Sequence, residues 1–387
     1  MASLATEWIG AAGRRYLFKE LLQERPHVGR VWIATSESSF LSAPAQRKHG
    51  KLTIGPHSFE HERYVLKDVP PAIYSSFHED ILPRLRPRPH PHIRSPCDSI
   101  PDQRILVFRY LEDDFLSLVR KAISPPARKQ ILKASLRGLA ELHDRDVVHL
   151  GKCPHEGVLP CRGLTGLINK DVKPDNILVD LRDAPADWQV QLADLENAAY
   201  LPPGRCIKGM LAGNEDWRSP EAHFKGELNK PADVFSFGAV VSLLTSHSAV
   251  HPSGCDSTKQ LTSARQCIYA MLGRVIFGRD ADMTLHESRG VLPMLIRLQR
   301  QVSYFGEKEG LNGLMKHVGD EEINCQILSS MWDDRTEENI PYEPFTDWPD
   351  AGDEDFKNLI GRMMNLDPTK RITARKGLDH AWFHGCD

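Results

Sequence analysis

The spacing of apolar residues changes near residue 110 of this 387-residue chain, and no other feature of the sequence limits the fold as strongly. Before that point the apolar stretches are short, either alternating or continuous, which predicts strands in residues 16–36, 64–67 and 105–108. A helix that begins at Pro70-Pro71 and runs to Leu85 interrupts them. After residue 112 apolar residues recur at helical spacing, first in residues 131–142.

This order of elements predicts an α+β fold with two lobes. A small β-rich lobe is expected over residues 1–111 and a larger α-helical lobe over residues 112–387. Residues 109–111 are the predicted thin connection between them. The chain is long enough for a sizeable core in a fold of this kind.

Composition and charge exclude several classes of protein. The 49 Lys and Arg residues nearly balance the 52 Asp and Glu residues, so the formal charge is only −3 and a dedicated nucleic-acid-binding protein is not expected. An uncharged apolar run of about 18 residues is absent, so we expect no membrane-spanning helix and no membrane partner. The eight cysteines form no CxxC pair, which favours reduced thiols and a location in the cytosol or nucleus.

The most informative segment is Asp-Val-Lys-Pro-Asp-Asn at residues 171–176, together with Asp194 at the end of a short predicted strand. A carboxylate such as that of Asp171 can accept a hydroxyl proton, and the ammonium group of Lys173 can neutralise a phosphate. Asn176 and Asp194 carry the oxygen ligands that Mg²⁺ prefers. Because these residue types also favour turns, a plain structural turn is the alternative interpretation.

These residues resemble the catalytic loop and the metal-binding aspartate of the protein kinases. Three further segments match that family in the same order, namely Ser219-Pro220-Glu221, Asp233 to Gly238, and Leu366 to Phe383. The resemblance implies that Glu221 pairs with Arg371 and that the helix carrying Asp233 anchors the catalytic loop. The order of the motifs favours the kinase interpretation over the plain turn. Within the family, the chain is similar to a group of kinase-like proteins from filamentous fungi.

The resemblance also assigns nucleotide-binding residues in the small lobe. Lys67 is similar to the strand lysine that holds the α- and β-phosphates of ATP, and Glu79 to the helix glutamate that pairs with this lysine. Phe108 is expected beside the adenine, and the connection containing Tyr110 and Leu111 is expected to offer backbone hydrogen bonds. Alternatively, Lys67 is an exposed lysine on a strand, Glu79 lies on a solvated helix face, and Phe108 belongs to a plain core strand.

The sequence departs from the family at the phosphate loop and after the metal-binding aspartate. Gly29 and Val31 align with the end of the glycine-rich loop, but Glu24 and Pro26 stand where two glycines belong. Glycine lets backbone N–H groups approach a phosphate, whereas proline lacks the N–H and glutamate repels the phosphate. Glu196 replaces the glycine of the Asp-Phe-Gly motif. We therefore expect weaker nucleotide binding than the family pattern gives.

The activity that the resemblance implies is that of an ATP- and Mg²⁺-dependent serine/threonine kinase, a monomer that acts on protein substrates. Asp171 is expected to orient and deprotonate the substrate hydroxyl, Lys173 to offset charge on the moving phosphoryl group, and Asn176 and Asp194 to hold Mg²⁺. Two alternatives stay open. A pseudokinase, which binds or scaffolds with weak or no catalysis, is favoured by the departures described above. A small-molecule phosphotransferase of kinase-like fold is disfavoured by the Ser219-Pro220-Glu221 segment.

Two blocks, residues 151–170 and 241–266, interrupt the resemblance. Without the first block the chain reads VVHLDVKPDNILVD, a near-complete kinase catalytic loop, whereas aligning Asn169-Lys170-Asp171 instead matches only the aspartate. Without the second block one apolar helix becomes continuous. We hypothesise that both blocks are introns translated in frame; the alternative is two genuine surface loops. If the first block belongs to the protein, activity is expected to suffer, because misplacing a reacting group by about 1 Å can cost about a hundredfold in rate.

Overall fold

The structure, a computed structural model, describes residues 7–25, 29–36, 62–121, 123–150, 172–181, 188–241, 276–319, 322–336, 342–349 and 353–385. Contacts within the chain divide it into two units. The first unit comprises Met1–His78 and Ser95–Leu111, and the second comprises Glu79–Arg94 and Glu112–Asp387. The units divide after residue 111, as the two predicted lobes do, but residues 79–94 group with the second unit.

Residues 79–94 belong to the second unit because a half-buried arginine and a glycine hold them there. The guanidinium of Arg145 donates hydrogen bonds to the carbonyl oxygens of Arg84 at 3.1 Å and Arg88 at 2.6 Å. Gly138 lies so close to this segment that a Cβ atom would stand 2.4 Å from the carbonyl oxygen of His92. Only glycine permits that approach without displacement of the backbone.

The first unit is built on an antiparallel sheet whose strands are β1 (Glu7–Ile9), β2 (Arg15–Arg25), β3 (Gly29–Ser36), β4 (Glu62–Asp68), β5 (Asp98–Ile100) and β6 (Ile105–Arg109). Their order across the sheet is β1-β2-β3-β4-β6-β5. Trp32 pairs with Leu66 and Ala34 with Tyr64, and all four side chains are buried on one face. This period of two is the one that the sequence shows, so the strands predicted in residues 16–36, 64–67 and 105–108 are confirmed.

The predicted helix over residues 70–85 is interrupted. It consists of α1 (Pro71–Ser76), a π-helical turn (Phe77–Ile81) and α2 (Leu82–Leu85). The wide turn ends two residues before Pro83, which cannot donate a backbone hydrogen bond and so disturbs the regular helix. Phe77 and Ile81, at the two ends of the π-helical turn, are buried.

The second unit is mainly helical. Its longer helices are α4 (Pro125–Asp144), α6 (Lys230–Val241), α7 (Ala281–Ser288), α8 (Pro293–Phe305), α9 (Lys308–Val318), α10 (Glu322–Asp333) and α11 (Glu354–Met363); its shorter ones are α3 (Phe115–Arg120), α5 (Pro220–His223) and α12 (Ala374–Leu378). Ser124 caps the N-terminus of α4, accepting a hydrogen bond from the Ala127 N–H at 3.4 Å. Within the described ranges, no helix has the length and apolarity needed to cross a bilayer.

Two small antiparallel sheets of the second unit position the residues discussed below. They contain β7 (Asp113–Asp114), β8 (Val147–Val148), β9 (Ile177–Asp180), β10 (Gln189–Leu192) and β11 (Ala199–Tyr200). One sheet has the order β10-β9-β7, and the other pairs β11 with β8. The suspected insertions at residues 151–170 and 241–266 lie outside the described residues, apart from Val241, the last residue of α6.

Candidate active site

A buried carboxylate on α6 fixes the segment that precedes the predicted catalytic loop. The side chain of Asp233 is completely buried and accepts three hydrogen bonds. Two come from backbone N–H groups, those of His149 at 2.8 Å and Leu150 at 3.1 Å. The third partner is Nε2 of His143 at 2.9 Å. Because a buried charge is stable only when it is compensated, this network holds residues 149–150 in one conformation.

His149 connects this segment to the residue before the predicted metal ligand. Its Nε2 lies 2.8 Å from the carbonyl oxygen of Ala193, which can only accept, so this nitrogen carries the proton. The ring is completely buried, and the neighbouring strands β8 and β11 pair through Val148 and Ala199. His149 thus ties β8 to the residue that precedes Asp194.

Asn176 is also bonded to Ala193, through the backbone N–H of Ala193. The chain forms a 3₁₀ turn over Pro174–Asn176 and then enters β9, which pairs with β10 through Ile177 and Leu192. One step beyond that pair, the N–H of Ala193 donates to the carbonyl oxygen of Asn176 at 2.8 Å. The strand pairing therefore brings Asn176 and Asp194 together at one end of β9 and β10.

Asp194 has a left-handed backbone conformation, with φ 66° and ψ 36°. Few residues other than glycine adopt it, although aspartate does so more readily than most, and such conformations are common at functional sites. A 3₁₀ turn over Leu195–Asn197 follows, and Leu195 is buried. Glu196, which stands at the family's glycine position, is also buried, with 4% of its surface exposed.

Lys173 is half-buried, and its ammonium group forms an ion pair with the Asp175 carboxylate at 2.5 Å. Asp175 belongs to the 3₁₀ turn that carries Asn176, and Lys173 directly precedes this turn. The structure thus gathers three of the predicted site residues of the second unit, namely Lys173, Asn176 and Asp194. The predicted catalytic base, Asp171, lies outside the described residues.

The predicted nucleotide-binding residues of the first unit lie on β3, β4, β6 and the segment after β6. Lys67 on β4 stands opposite Val31 on β3, and the buried Phe108 on β6 stands opposite Val65. Glu79, which the resemblance implies as the partner of Lys67, belongs to the second unit, where it lies in the π-helical turn and is exposed.

The segment after β6 has one backbone donor already in use. The N–H of Tyr110 donates to the carbonyl oxygen of Arg63 at 3.0 Å, and the Arg63 guanidinium lies 4.2 Å from the centre of the Tyr110 ring. A ligand bound to this segment must therefore use other backbone groups of residues 109–111. Leu111, the last of these, is buried.

Gly29 is required by the sheet itself. Its φ is +112°, and a Cβ atom there would lie 2.3 Å from the carbonyl oxygen of Asp68. Burial raises the pKa of the neighbouring Asp68 carboxyl, and the positive charges of Arg30 and Arg104 oppose the shift. The close approach of β3 to β4 thus explains this glycine without reference to a phosphate.

The ion pair that the resemblance implies is present. Arg371 and Glu221 are both buried and bind each other through two parallel hydrogen bonds, Nη1 to Oε1 at 2.6 Å and Nη2 to Oε2 at 2.7 Å. The guanidinium also donates to the carbonyl oxygens of Pro231, Asn365 and Leu366. This pairing joins α5, which carries Glu221, to the chain between α11 and α12.

Two histidines near these residues were not predicted as functional. His143 helps Asp233 to hold the segment at residues 149–150, and its place in the last turn of α4 is a weak signal for such a role. His223 on α5 is buried, and neither of its ring nitrogens has a hydrogen-bond partner among the described residues. Burial, together with the positive charges of Arg218 and Arg297, lowers the pKa of His223 to about 3.

Comparison with curated proteins finds protein kinases. The chain is 28% identical over 307 residues to the serine/threonine-protein kinase ssn3 of Aspergillus fumigatus, a match that covers 76% of this chain and 62% of that protein. It is 28% identical over 181 residues to the probable serine/threonine-protein kinase PBL28 of Arabidopsis thaliana, covering 44% of this chain and 42% of that one. The chain thus spans less than two thirds of the length of these relatives.

Comparison with solved structures supports the same fold. A chain from the structure of the CAK complex of Chaetomium thermophilum bound to ATP-γ-S aligns with a TM-score of 0.56 over 95% of this chain and 90% of that one, at 19% identity. The α+β prediction, with a β-rich first part and a helical second part, is therefore confirmed. The family model described as protein kinase domain matches residues 163–383, which is more than half of the chain. With its buried Glu221–Arg371 pair and the bonds that converge on Ala193, the chain belongs to the protein kinase family.

Proposed function

We propose that the protein is an ATP-dependent protein kinase that transfers the γ-phosphoryl group to serine or threonine hydroxyls. The observation that supports this most directly is the bonding of Ala193. Its N–H donates to Asn176 and its carbonyl oxygen accepts from His149, so one residue next to Asp194 connects two of the predicted catalytic segments. Such a bonded arrangement fixes the positions of groups that act together on one substrate.

The donors at this site fit Mg²⁺. No cluster of three or more His, Cys, Asp or Glu suited to a metal ion occurs in the described parts of the chain. Mg²⁺ is commonly bound in proteins through one or two carboxylates, with phosphate and water oxygens completing its shell. The amide oxygen of Asn176 and the carboxylate of Asp194 match that requirement. When bound, Mg²⁺ would neutralise negative charge on the phosphates.

The other residues have roles that follow from their chemistry. Asp171 would orient the substrate hydroxyl and take its proton, and Lys173 would exchange its ion pair with Asp175 for the moving phosphoryl group. Lys67 would bind the α- and β-phosphates. Serine/threonine specificity is proposed because Lys173 stands two residues after Asp171 and because curated relatives are named serine/threonine-protein kinases.

Transfer of labelled phosphate from ATP to a mixture of serine and threonine peptides tests the proposal. Asp171→Asn should lower the transfer rate by about 10²–10⁴-fold while ATP still binds, because it removes only the proton acceptor. Asp194→Asn should weaken Mg²⁺-dependent ATP binding, measured by calorimetry. Glu354→Gln, which changes a carboxylate that is 93% exposed on α11, is the matched control and should leave both unchanged. Equal transfer by wild type and Asp171→Asn would contradict the proposal.

A second candidate function is that of a kinase-fold binding protein without phosphotransfer. The buried Glu196 favours it, because a carboxylate stands two residues after Asp194 where the family has a glycine. Glu24 on β2, in the position of a phosphate-loop glycine, favours it as well, because its charge repels phosphate. ATP binding without measurable transfer by the wild-type protein would support this candidate.

We also propose that the protein is a monomer located in the cytosol or nucleus. Light scattering tests the oligomeric state, and imaging of a tagged chain tests the location.

A further inference from the structure

A large cavity opens in the second unit between α7, α8 and α10. Its volume is about 630 Å³, which lies in the range of about 300–1,000 Å³ typical of ligand-binding pockets. None of the residues assigned to phosphotransfer or nucleotide binding lines it. The inner wall is apolar and well packed, since Ile296 and Met331 are at most 8% exposed.

The mouth of the cavity carries aliphatic side chains that are exposed to solvent. Ile323 on α10 is 60% exposed and Val291 is 37% exposed, and both line the cavity. Leu292, next to Val291 in the chain, is 60% exposed, and Leu285 on α7 is 48% exposed. Single exposed aliphatic residues are ordinary, but a group of them around a deep apolar cavity is typical of an interaction site.

The polar part of the lining is strongly acidic. It contains four carboxylates, those of Asp280, Asp282, Asp334 and Glu343, and one guanidinium, that of Arg300, so its formal charge is −3 with His286 neutral. Arg300 binds Asp280 at 2.9 Å and Asp282 at 3.1 Å, which fixes these two carboxylates at the wall of the cavity. A lining of this charge attracts cationic groups and repels anionic ones.

We propose that this cavity is the docking site of a partner protein, which inserts a segment with apolar side chains flanked by lysine or arginine. The apolar side chains would fill the inner wall, and the cationic ones would lie against the carboxylates. A protein segment fits better than a small cation of the cavity's own volume, because such a molecule would leave the exposed aliphatic surface of Ile323 and Val291 open to solvent. The helix-in-groove mode of recognition, in which one apolar face enters a groove, has these requirements.

Binding of a synthetic amphipathic probe to the full-length protein tests the proposal. The probe is an 18-residue fluorescein-labelled peptide that carries leucine at helical spacing and lysine elsewhere, and fluorescence polarisation measures its dissociation constant. Ile323→Lys should weaken binding about tenfold or more, the ratio expected for losing one buried aliphatic contact. Ile9→Lys is the matched control, because Ile9 is 61% exposed on β1 in the other unit, and it should leave binding unchanged. Thermal unfolding shows whether both variants are folded.

Charge is tested separately from apolar contact. Asp334→Lys should weaken binding of the leucine–lysine peptide and strengthen binding of the corresponding leucine–glutamate peptide, whereas Glu354→Lys, on the exposed face of α11, should do neither. A benzophenone placed in the middle of the lysine peptide should cross-link to α8 or α10. Equal binding by wild type and Ile323→Lys, equal affinity for the two peptides, or cross-links only outside the cavity would overturn the proposal. A dimer in solution whose formation blocks the peptide would identify a second copy as the occupant instead.

Discussion

Replacing Arg371 by alanine should destabilise the second unit by about 3–5 kcal/mol, the range for breaking a buried ion pair by removing one partner. The structure explains why the loss should be near the upper end. Glu221 has 1% of its side chain exposed, so its charge would remain buried without a cation. The carbonyl oxygens of Pro231, Asn365 and Leu366 would also lose the donor that they share. Stability of a domain is about 5–15 kcal/mol, so this single change removes a large part of it.

Urea unfolding followed by circular dichroism measures the effect, with Arg375→Ala as the matched control. Arg375 lies four residues further on, pairs with Asp144 and is 52% exposed, so its replacement should cost less than about 1 kcal/mol. A double replacement of Arg371 and Glu221 by methionine should cost less than the sum of the two single replacements, because it leaves no unpaired charge. A loss below about 1 kcal/mol for Arg371→Ala would refute the view that this pair holds α5 in place.

Three further changes test other parts of the structure. Gly29→Ala should destabilise the first unit by about 2–4 kcal/mol, measured by urea unfolding, whereas the control Gly13→Ala should cost about 1 kcal/mol. Both glycines have positive φ, but of the two only Gly29 has a backbone oxygen within 4 Å of the added Cβ. His223→Met should reduce the loss of stability on acidification. The pKa of His223 is lowered to about 3 in the folded state, so below pH 6.5 the unfolded chain binds a proton that the folded chain does not. The stability of the wild-type protein should therefore fall by about 1.4 kcal/mol for each pH unit between 6.5 and 3, and the variant should lack this contribution. Asp233→Asn should lower the phosphotransfer rate about tenfold or more, since its amide cannot accept all three hydrogen bonds, while affinity for ATP changes little.

The sequence predicts the two-part architecture well because the apolar residues of each part recur at one dominant spacing, that of strands in the first part and that of helices in the second. Buried alternation on β3 and β4, and buried residues such as Leu132 and Leu136 at helical spacing on α4, are direct consequences of burial on one face. The grouping of residues 79–94 with the second unit was not predictable in this way. It depends on Arg145 and Gly138, which contact that segment across more than 40 residues of sequence, and no local pattern reports such a contact.

The candidate site shows the same division between local and distant causes. Asn176 and Asp194 were predicted from residue type and order, and β9 and β10 bring them together because paired strands must end side by side. Gly29 was assigned to a phosphate loop, whereas its φ and its contact with Asp68 give it a structural reason that spacing alone does not contain. His223 shows no signal in the sequence, since its unusual pKa arises mainly from burial in the folded protein.

The final prediction concerns the block at residues 151–170. Both ends of this part of the chain are bonded to one residue: His149 donates to the carbonyl oxygen of Ala193, and Asn176 accepts from its N–H. The two ends therefore lie close together whatever connects them. Six residues would remain between His149 and Asn176 after removal of the block, and six residues readily span such a short distance.

A chain without residues 151–170 should therefore fold, and it should be more stable by about 1 kcal/mol, because the connection is halved about twice and each halving of a flexible loop gains about 0.6 kcal/mol of closure entropy. It should also transfer phosphate faster, because Asp171 would then follow directly the Leu150 whose N–H is fixed by Asp233. A chain with a 20-residue Gly-Ser linker in place of the block is the matched control and should transfer phosphate as slowly as the full chain. Unfolding of the deletion variant at a lower urea concentration than the full chain would show that the block is a genuine part of the fold, and mature transcripts that contain it would exclude an intron.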